Sequence, residues 1–447
     1  MLIKNEFGFV LNATQNNFKK IFSKSASIKN ILLLKKKSMK KNLSILLFCV
    51  YAISVKAGGF QVNLQGQKQI GMGNTGTGLL LDGSCILFNP GAMCFLTSNT
   101  LNASGSFIFP TTEYLASAPD NYSTETSPGV DTPFNFYANF KFKPSDKWNV
   151  GLGVYTPFGS RVVYPSDWKG EFLLQNIDLT TIFIQPTFSY QLSPQVGVGV
   201  GAVIGIGSFQ LQRAIPVQNA DGTYGEANLK GSANGYGFNA GIYYKPTEKF
   251  SVGLDFRSDV PVNITNGNAN FTVPSSLNSY FPSTTFTSKI VMPYEASIGF
   301  GYVVNPKLKL AFDVNYVGWS SYDTLSFNFK TTTAQLQDIH SPRNYHNSFA
   351  FRLGGQYQLS DKITVRAGIY YDLSPVPNGY LTPETPDANK VGLSAGMSWK
   401  ISKKINVDLS FLYDDVAKRT DTNIETQFSG TYKTNAIIPG IGFEYTF

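Results

Sequence analysis

The chain holds two histidines, His340 and His346, in or beside the segment Asp338-Ile-His-Ser-Pro-Arg-Asn-Tyr-His346. Asp338, His340 and Ser341 are the residue types a hydrolase combines as acid, base and nucleophile. Adjacency along the chain does not build such a triad, which needs side chains converging from separate elements, so no enzyme and no catalytic residue is expected here. Gly71 to Gly78 is dense in glycine but lacks the lysine and the strand–helix frame of a phosphate-cradling loop, so no nucleotide cofactor is expected either. With three cysteines (Cys49, Cys85, Cys94), two histidines and no Cys-x-x-Cys, a structural zinc site has no ligand set. Asp414-Asp415 reads as a solvated loop pair rather than a metal site.

The stretch from Gly58 to Ala92 looks more informative. It opens Gly-Gly-Phe-Gln-Val-Asn, passes through the glycine-rich segment and closes on Asn89-Pro90-Gly91-Ala92. It shows neither the alternation of a strand nor the apolar stripe of a helix. Glycine permits backbone angles that other residues avoid, and Asn-Pro favours a local turn. Such a segment suits a plug that changes shape. Cys85 and Cys94 flank its last turn, either as a disulfide or as two small buried hydrophobes. Arg161, Lys169, Arg213 and Arg343 are conceivable partners for a ligand carboxylate, but each reads more readily as an ordinary loop or lumen charge, and none is taken as a site residue. Leu277, Tyr280, Phe281 and Phe172-Leu-Leu174 form either a capture groove or mutual loop packing.

The elements that must position these groups are strands. Charged residues make up only 15% of the chain and aromatics reach 14%, whereas soluble domains carry about 25% charge. The formal charge of +8 resides in residues 1–57, which hold eleven lysines and one acid; the remainder has 26 basic and 28 acidic residues, so no nucleic-acid partner is expected. Met39-Lys-Lys, the apolar run Leu43 to Ser54 and Val55-Lys-Ala57 read as a signal peptide. Residues 1–38 read as an upstream extension absent from the mature protein, residues 39–57 as the signal, 58–97 as a hatch and 98–447 as a barrel. Past the signal there is no run of eighteen apolar residues, so a membrane can be crossed only by strands. Phe134 to Phe142 alternates with period two for nine residues, about the length of a tilted membrane strand. Short turns at Lys245–Lys249, Asn305–Lys307, Ser360–Lys362 and Ser402–Lys404 alternate with long polar stretches at 215–228, 265–287, 321–345, 373–389 and 415–432. That alternation predicts an all-β fold, a 14-stranded antiparallel transmembrane barrel of the outer membrane with the N-terminal hatch in its lumen. The final Phe447 closes an alternating strand, as expected for recognition by the barrel-assembly machinery. Trp148, Tyr155, Phe158, Tyr190, Tyr316, Trp319, Tyr371, Trp399 and Tyr413 are expected in interfacial girdles.

Several landmarks in this order resemble the FadL/TodX family of outer-membrane transporters for long-chain fatty acids and hydrocarbons. They are Gly59-Phe60-Gln-Val-Asn63, Asn89-Pro90-Gly91-Ala92, Tyr155-Thr-Pro-Phe-Gly159, Phe256-Arg-Ser258, Trp319-Ser320 after a strand containing Asp313, Arg366 to Asp372, Ser374-Pro-Val376 and Pro386-Asp387. The resemblance implies capture of a hydrophobic small molecule at the outer face, movement of the hatch, and release through a sideways gap into outer-membrane lipids. A monomer with no cofactor is expected. Carried over residue by residue, the resemblance makes Phe60 a contact for ligand or wall, and Asn89, Pro90 and Ala92 the brace of the hatch. Each also has a plain reading: Phe60 as core packing, Asn89 as a turn cap. Gly91, which separates Pro90 from Ala92, departs from the family's Asn-Pro-Ala and leaves Ala92 the least secure of the four. The rival architectures are a general diffusion porin and a structural or adhesive barrel.

Overall fold

The computed structural model describes residues 58–143 and 145–447; the extension and signal expected at 1–57 lie outside the described residues. Fourteen antiparallel staves close into one ring. Stave 1 comprises β1 (Thr100–Ser106) and β2 (Phe109–Ala116), stave 2 comprises β3 (Ser123–Glu125) and β4 (Phe134–Phe140), and stave 3 comprises β5 (Trp148–Tyr155) and β6 (Gly159–Val163). Then β7 (Asn176–Gln191), β8 (Val196–Gln218) and β9 (Tyr224–Tyr244) run uninterrupted. Four split staves follow: β10 (Phe250–Arg257) with β11 (Val260–Thr272), β12 (Thr284–Met292) with β13 (Glu295–Asn305), β14 (Leu308–Val317) with β15 (Thr324–Phe329), and β16 (Ile339–Pro342) with β17 (Ser348–Gln358). The ring is completed by β18 (Ile363–Asp372), β19 (Lys390–Lys400), β20 (Ile405–Thr422) and β21 (Ser429–Thr446). Closure comes from β1 against β21, with Thr100 opposite Thr446 and Ser106 opposite Gly440.

Each stave sorts its residues by solvent. In β10, Phe250, Leu254 and Phe256 face outward while Ser251, Asp255 and Arg257 are buried in the lumen. In β21, Ile441, Phe443 and Tyr445 face outward and Glu444 inward. Lipid takes the apolar face and the polar interior receives the other.

Two expectations need correction. The polar stretch 215–228 is mostly strand, since β8 runs to Gln218 and β9 resumes at Tyr224. Likewise β15 and β16 lie within 321–345, and β20 and β21 extend well into 415–432. Polar residues continue a strand wherever it projects beyond lipid and both faces meet water or packed loops. The second correction concerns the girdle. Tyr190, Tyr371 and Trp399 are exposed outward as expected, but Tyr155, Phe158 and Trp319 are buried. Tyr155 keeps the inward parity of Asn149 and Gly153 in β5, while Phe158 and Trp319 lie in the interruptions of staves 3 and 9.

Inside the ring, residues 58–97 form two single-turn helices, α1 (Gln67–Ile70) and α2 (Cys85–Phe88), and a 3₁₀ segment, Pro90–Phe95. The wall meets them with glycine. Gly71 packs on Gly396, Ile86 and Met93 on Gly151, and Gly91 on Gly197 and Gly241.

Candidate functional site

The first site residue is set by a break in the wall. The β4–β5 ladder ends at Asn135 opposite Tyr155, and Thr156-Pro157-Phe158 interrupts stave 3 before β6. Proline cannot donate to a ladder and its ring fixes φ, which favours such a break. Above it β6 pairs with β7 alone (Gly159 opposite Thr180, Val163 opposite Asn176). On the other side, Ile108 bridges Asp131 and Ser106 N donates to Pro133 O at 3.0 Å. A bond from Ser127 N to Val163 O (2.7 Å) closes the opening at its outer end. The gap holds a cavity of about 450 Å³, lined by Ile108, Pro110, Phe134, Phe158, Val162 and Leu179 among others. Its outward surroundings are apolar: Phe107, Phe109 and Phe134 are exposed.

The N-terminal segment supplies the missing edge from within. Gln61 bridges Phe158, Val62 N donates to Pro157 O (2.9 Å), and Gly159 N donates to Phe60 O (3.0 Å). The Phe60 ring is buried edge-on against Trp319 (4.8 Å between centroids), Tyr322 (5.2 Å) and Phe158 (6.1 Å). Gly59, at φ +63°, donates its N–H to Asp387 Oδ2 (3.2 Å), which also accepts from Ser374 Oγ (2.5 Å). Burial pushes the Asp387 carboxyl up to about 7, although its two hydrogen bonds favour the charged form.

Asn89 contacts both its own turn and the wall. Its Oδ1 accepts from Gly91 N (3.0 Å), capping the 3₁₀ segment; its Nδ2 donates to Thr77 O and to Ile242 O of β9, each at 3.0 Å. Pro90 occupies the first position of that segment, where a missing N–H costs nothing. A Cβ on Gly91 would lie 2.7 Å from Gly241 O and 2.9 Å from Gly197 O. The extra residue is therefore the point where hatch backbone touches wall backbone. Ala92 is fully buried, its N–H donating to Asn89 O (3.0 Å). Cys85 and Cys94 are free thiols, both buried.

Sequence reasoning missed how the hatch is anchored. The glycine-rich segment does cradle an anion, but the anion is the wall's own carboxylate. Asp313 of β14 accepts from Gly76 N (2.7 Å), Thr77 N (2.8 Å) and Gly78 N (3.4 Å), a nest of successive amides. Lys68 of α1 meets Glu444 (2.7 Å), Asp82 (3.5 Å) and Asp408 (3.8 Å) in a buried cluster. A lone lysine between two glutamines was the available signal, but two of its three partners, Asp408 in β20 and Glu444 in β21, lie more than 300 residues away.

The residues considered for hydrolysis do not converge. Asp338 accepts from Phe329 N (2.8 Å), His340 Nδ1 meets Ser326 Oγ (3.1 Å), and the Ser341 hydroxyl donates to Glu425 (2.6 Å). Of the four cations, Arg161 faces Asp131 (3.8 Å), Lys169 pairs with Asp120, and Arg343 is buried against Glu384. Phe172 packs on Tyr224 and Phe281 on Phe271, while Tyr280 stays exposed.

A closed 14-stave wall with apolar outer faces, a lumen filled by its own N-terminal segment and, among the described residues, a cavity at the break between staves 2 and 3 describe an outer-membrane transport barrel. The family profile described as outer membrane protein transport protein (OMPP1/FadL/TodX) matches residues 48–447, and the chain belongs to that family. It is 26% identical to an outer membrane protein of Neisseria meningitidis serogroup B, over 92% of this chain and 99% of that one. It is 24% identical to the long-chain fatty acid transport protein of Salmonella typhi, over 90% and 98%. Among solved structures, a Pseudomonas aeruginosa FadL homologue superposes with a TM-score of 0.77 at 18% identity, over 87% of this chain and all of that one. The P. putida toluene transporter TodX superposes with a TM-score of 0.66 at 16% identity, over 88% and 99%.

Proposed function

We propose that this barrel takes up hydrophobic compounds through the outer membrane and releases them sideways into the lipid. The observation that supports this reading is the gap between staves 2 and 3, where the hatch segment that bears Phe60 lies against the unpaired edge from within. A straight aqueous route would expose the ligand to water at about 0.8 kcal/mol per CH₂. An apolar gap opening toward lipid avoids that cost. Relatives are named for long-chain fatty acids and for toluene, ligands that share hydrophobicity and little else. Phe60 would sense the ligand. Asn89, Pro90 and Ala92 would brace the rest of the hatch against β8 and β9 while Gly58 to Asn63 shifts. No catalytic step and no cofactor enters. We infer further that the barrel works as a monomer, that lipids cover its outer face, and that Phe447 engages the assembly machinery.

The test is Val162→Trp, which fills the gap from its wall. Uptake of a labelled hydrophobic compound by cells is expected to fall to background, with folding confirmed by heat-modifiable gel mobility. Unchanged uptake by a folded variant rejects the lateral route. Large steady conductance of the wild-type barrel in planar bilayers would favour a porin instead.

A further inference from the structure

The charged groups at the gap bear on which hydrophobic compounds pass. Its lining includes two basic side chains, Arg161 and Lys390, and four acidic ones, Asp131, Asp178, Glu384 and Asp387. Neither cation is free. Arg161 faces Asp131 at 3.8 Å, and Lys390 lies 3.8 Å from both Asp372 and Asp414. The nearby Arg343 is buried against Glu384. Arg419 donates to the carbonyls of Val376, Pro377 and Asp387 and lies 3.6 Å from Asp421. Arg213, which has no ion-pair partner among the described residues, is not part of the lining. Asp178 stands opposite Arg161 in the β6–β7 ladder and has a hydroxyl donor, Thr180 (3.1 Å), but among the described residues no cation lies within ion-pair distance of it.

A carboxylate entering this gap would shed water, find every lining cation engaged, and meet acids of its own sign. Burying an unpaired charge is costly and a like charge raises the cost. An uncharged molecule of the same length carries no charge to desolvate and can lie along the apolar part of the lining, Ile108, Phe134, Phe158, Val162 and Leu179. We propose that the compounds this protein passes are uncharged, hydrocarbons or long-chain alcohols rather than fatty-acid anions. The inference rests on the lateral route proposed above.

The experiment compares whole-cell uptake of labelled 1-dodecanol and dodecanoate at pH 8, where the acid is ionised, by the full-length protein and by Val162→Trp. Expected is uptake of dodecanol that Val162→Trp abolishes, at least tenfold faster than that of dodecanoate. Equal uptake of both, abolished by Val162→Trp, overturns the charge selectivity and leaves the lateral route standing. Uptake of both that Val162→Trp leaves unchanged overturns the route and with it this inference. Asp178→Asn adds a second readout: the dodecanol-to-dodecanoate ratio should fall several-fold. A ratio unmoved in a folded variant overturns the electrostatic explanation.

Discussion

Replacing Asn89 by alanine removes three hydrogen bonds at once: those to Thr77 O and Ile242 O, and the one accepted from Gly91 N. Asn89 is fully buried, so water does not readily substitute for the lost side chain. Each backbone group left without a partner costs about 1–3 kcal/mol, and the Ile242 carbonyl, only partly buried, belongs at the low end. The loss is roughly 3–6 kcal/mol, enough to raise the local opening equilibrium by about 10²–10⁴. The wall ladders do not depend on Asn89, so heat-modifiable mobility should be unchanged. Hydrogen exchange of the refolded protein should show residues 89–95 losing protection, and ligand uptake should change with it. Unaltered protection at those amides would refute the energetic reasoning. Raised exchange with normal uptake would keep the energetics and reject the gating role.

Phe60→Ala deletes a ring packed on three aromatics; at about 3–5 kcal/mol for a buried phenylalanine, residues 58–63 should detach from stave 3, seen as faster exchange there and reduced uptake. Gly91→Ala places a methyl 2.7 Å from Gly241 O and 2.9 Å from Gly197 O. Backbone cannot swing aside, so a loss of about 1–3 kcal/mol is expected; a melting temperature equal to wild type would contradict the contact. Asp387→Asn tests the raised carboxyl. Because the folded state holds the proton up to about 7, while a free aspartate releases it near about 4, stability should decline as pH rises from about 4 to about 7 and level off above. The decline attributable to this group is at most roughly 4 kcal/mol. In denaturation at pH 4.5 and 7.5, the asparagine variant should lose less stability than wild type; an identical loss in both would show that Asp387 does not carry the effect.

The barrel itself was legible in the sequence because its signal is local. Within one strand, such as Phe134 to Phe140 or Ile437 to Tyr445, lipid selects one parity and the lumen the other. Short turns at Lys245–Lys249 and Ser402–Lys404 then fix which ends lie together. The hatch was legible as a departure from that pattern, and Phe60, Asn89, Pro90 and Ala92 stood out within it as an ordered motif. What the tertiary structure decided concerns partners distant in sequence. Asp313 meets the amides of Gly76 and Thr77 across 237 and 236 residues, and Lys68 meets Glu444 across 376. No periodicity encodes such pairings. The gap is invisible for the same reason: a strand edge without a neighbour looks, in sequence, like an edge that has one. Phe158, which the parity of β5 continued past Tyr155 would turn outward, is buried because Thr156-Pro157 breaks the stave before it, and only the folded wall shows that break. Gly91, an oddity in the sequence, is required because two backbones meet there, and that approach exists only once β8 and β9 stand beside the hatch.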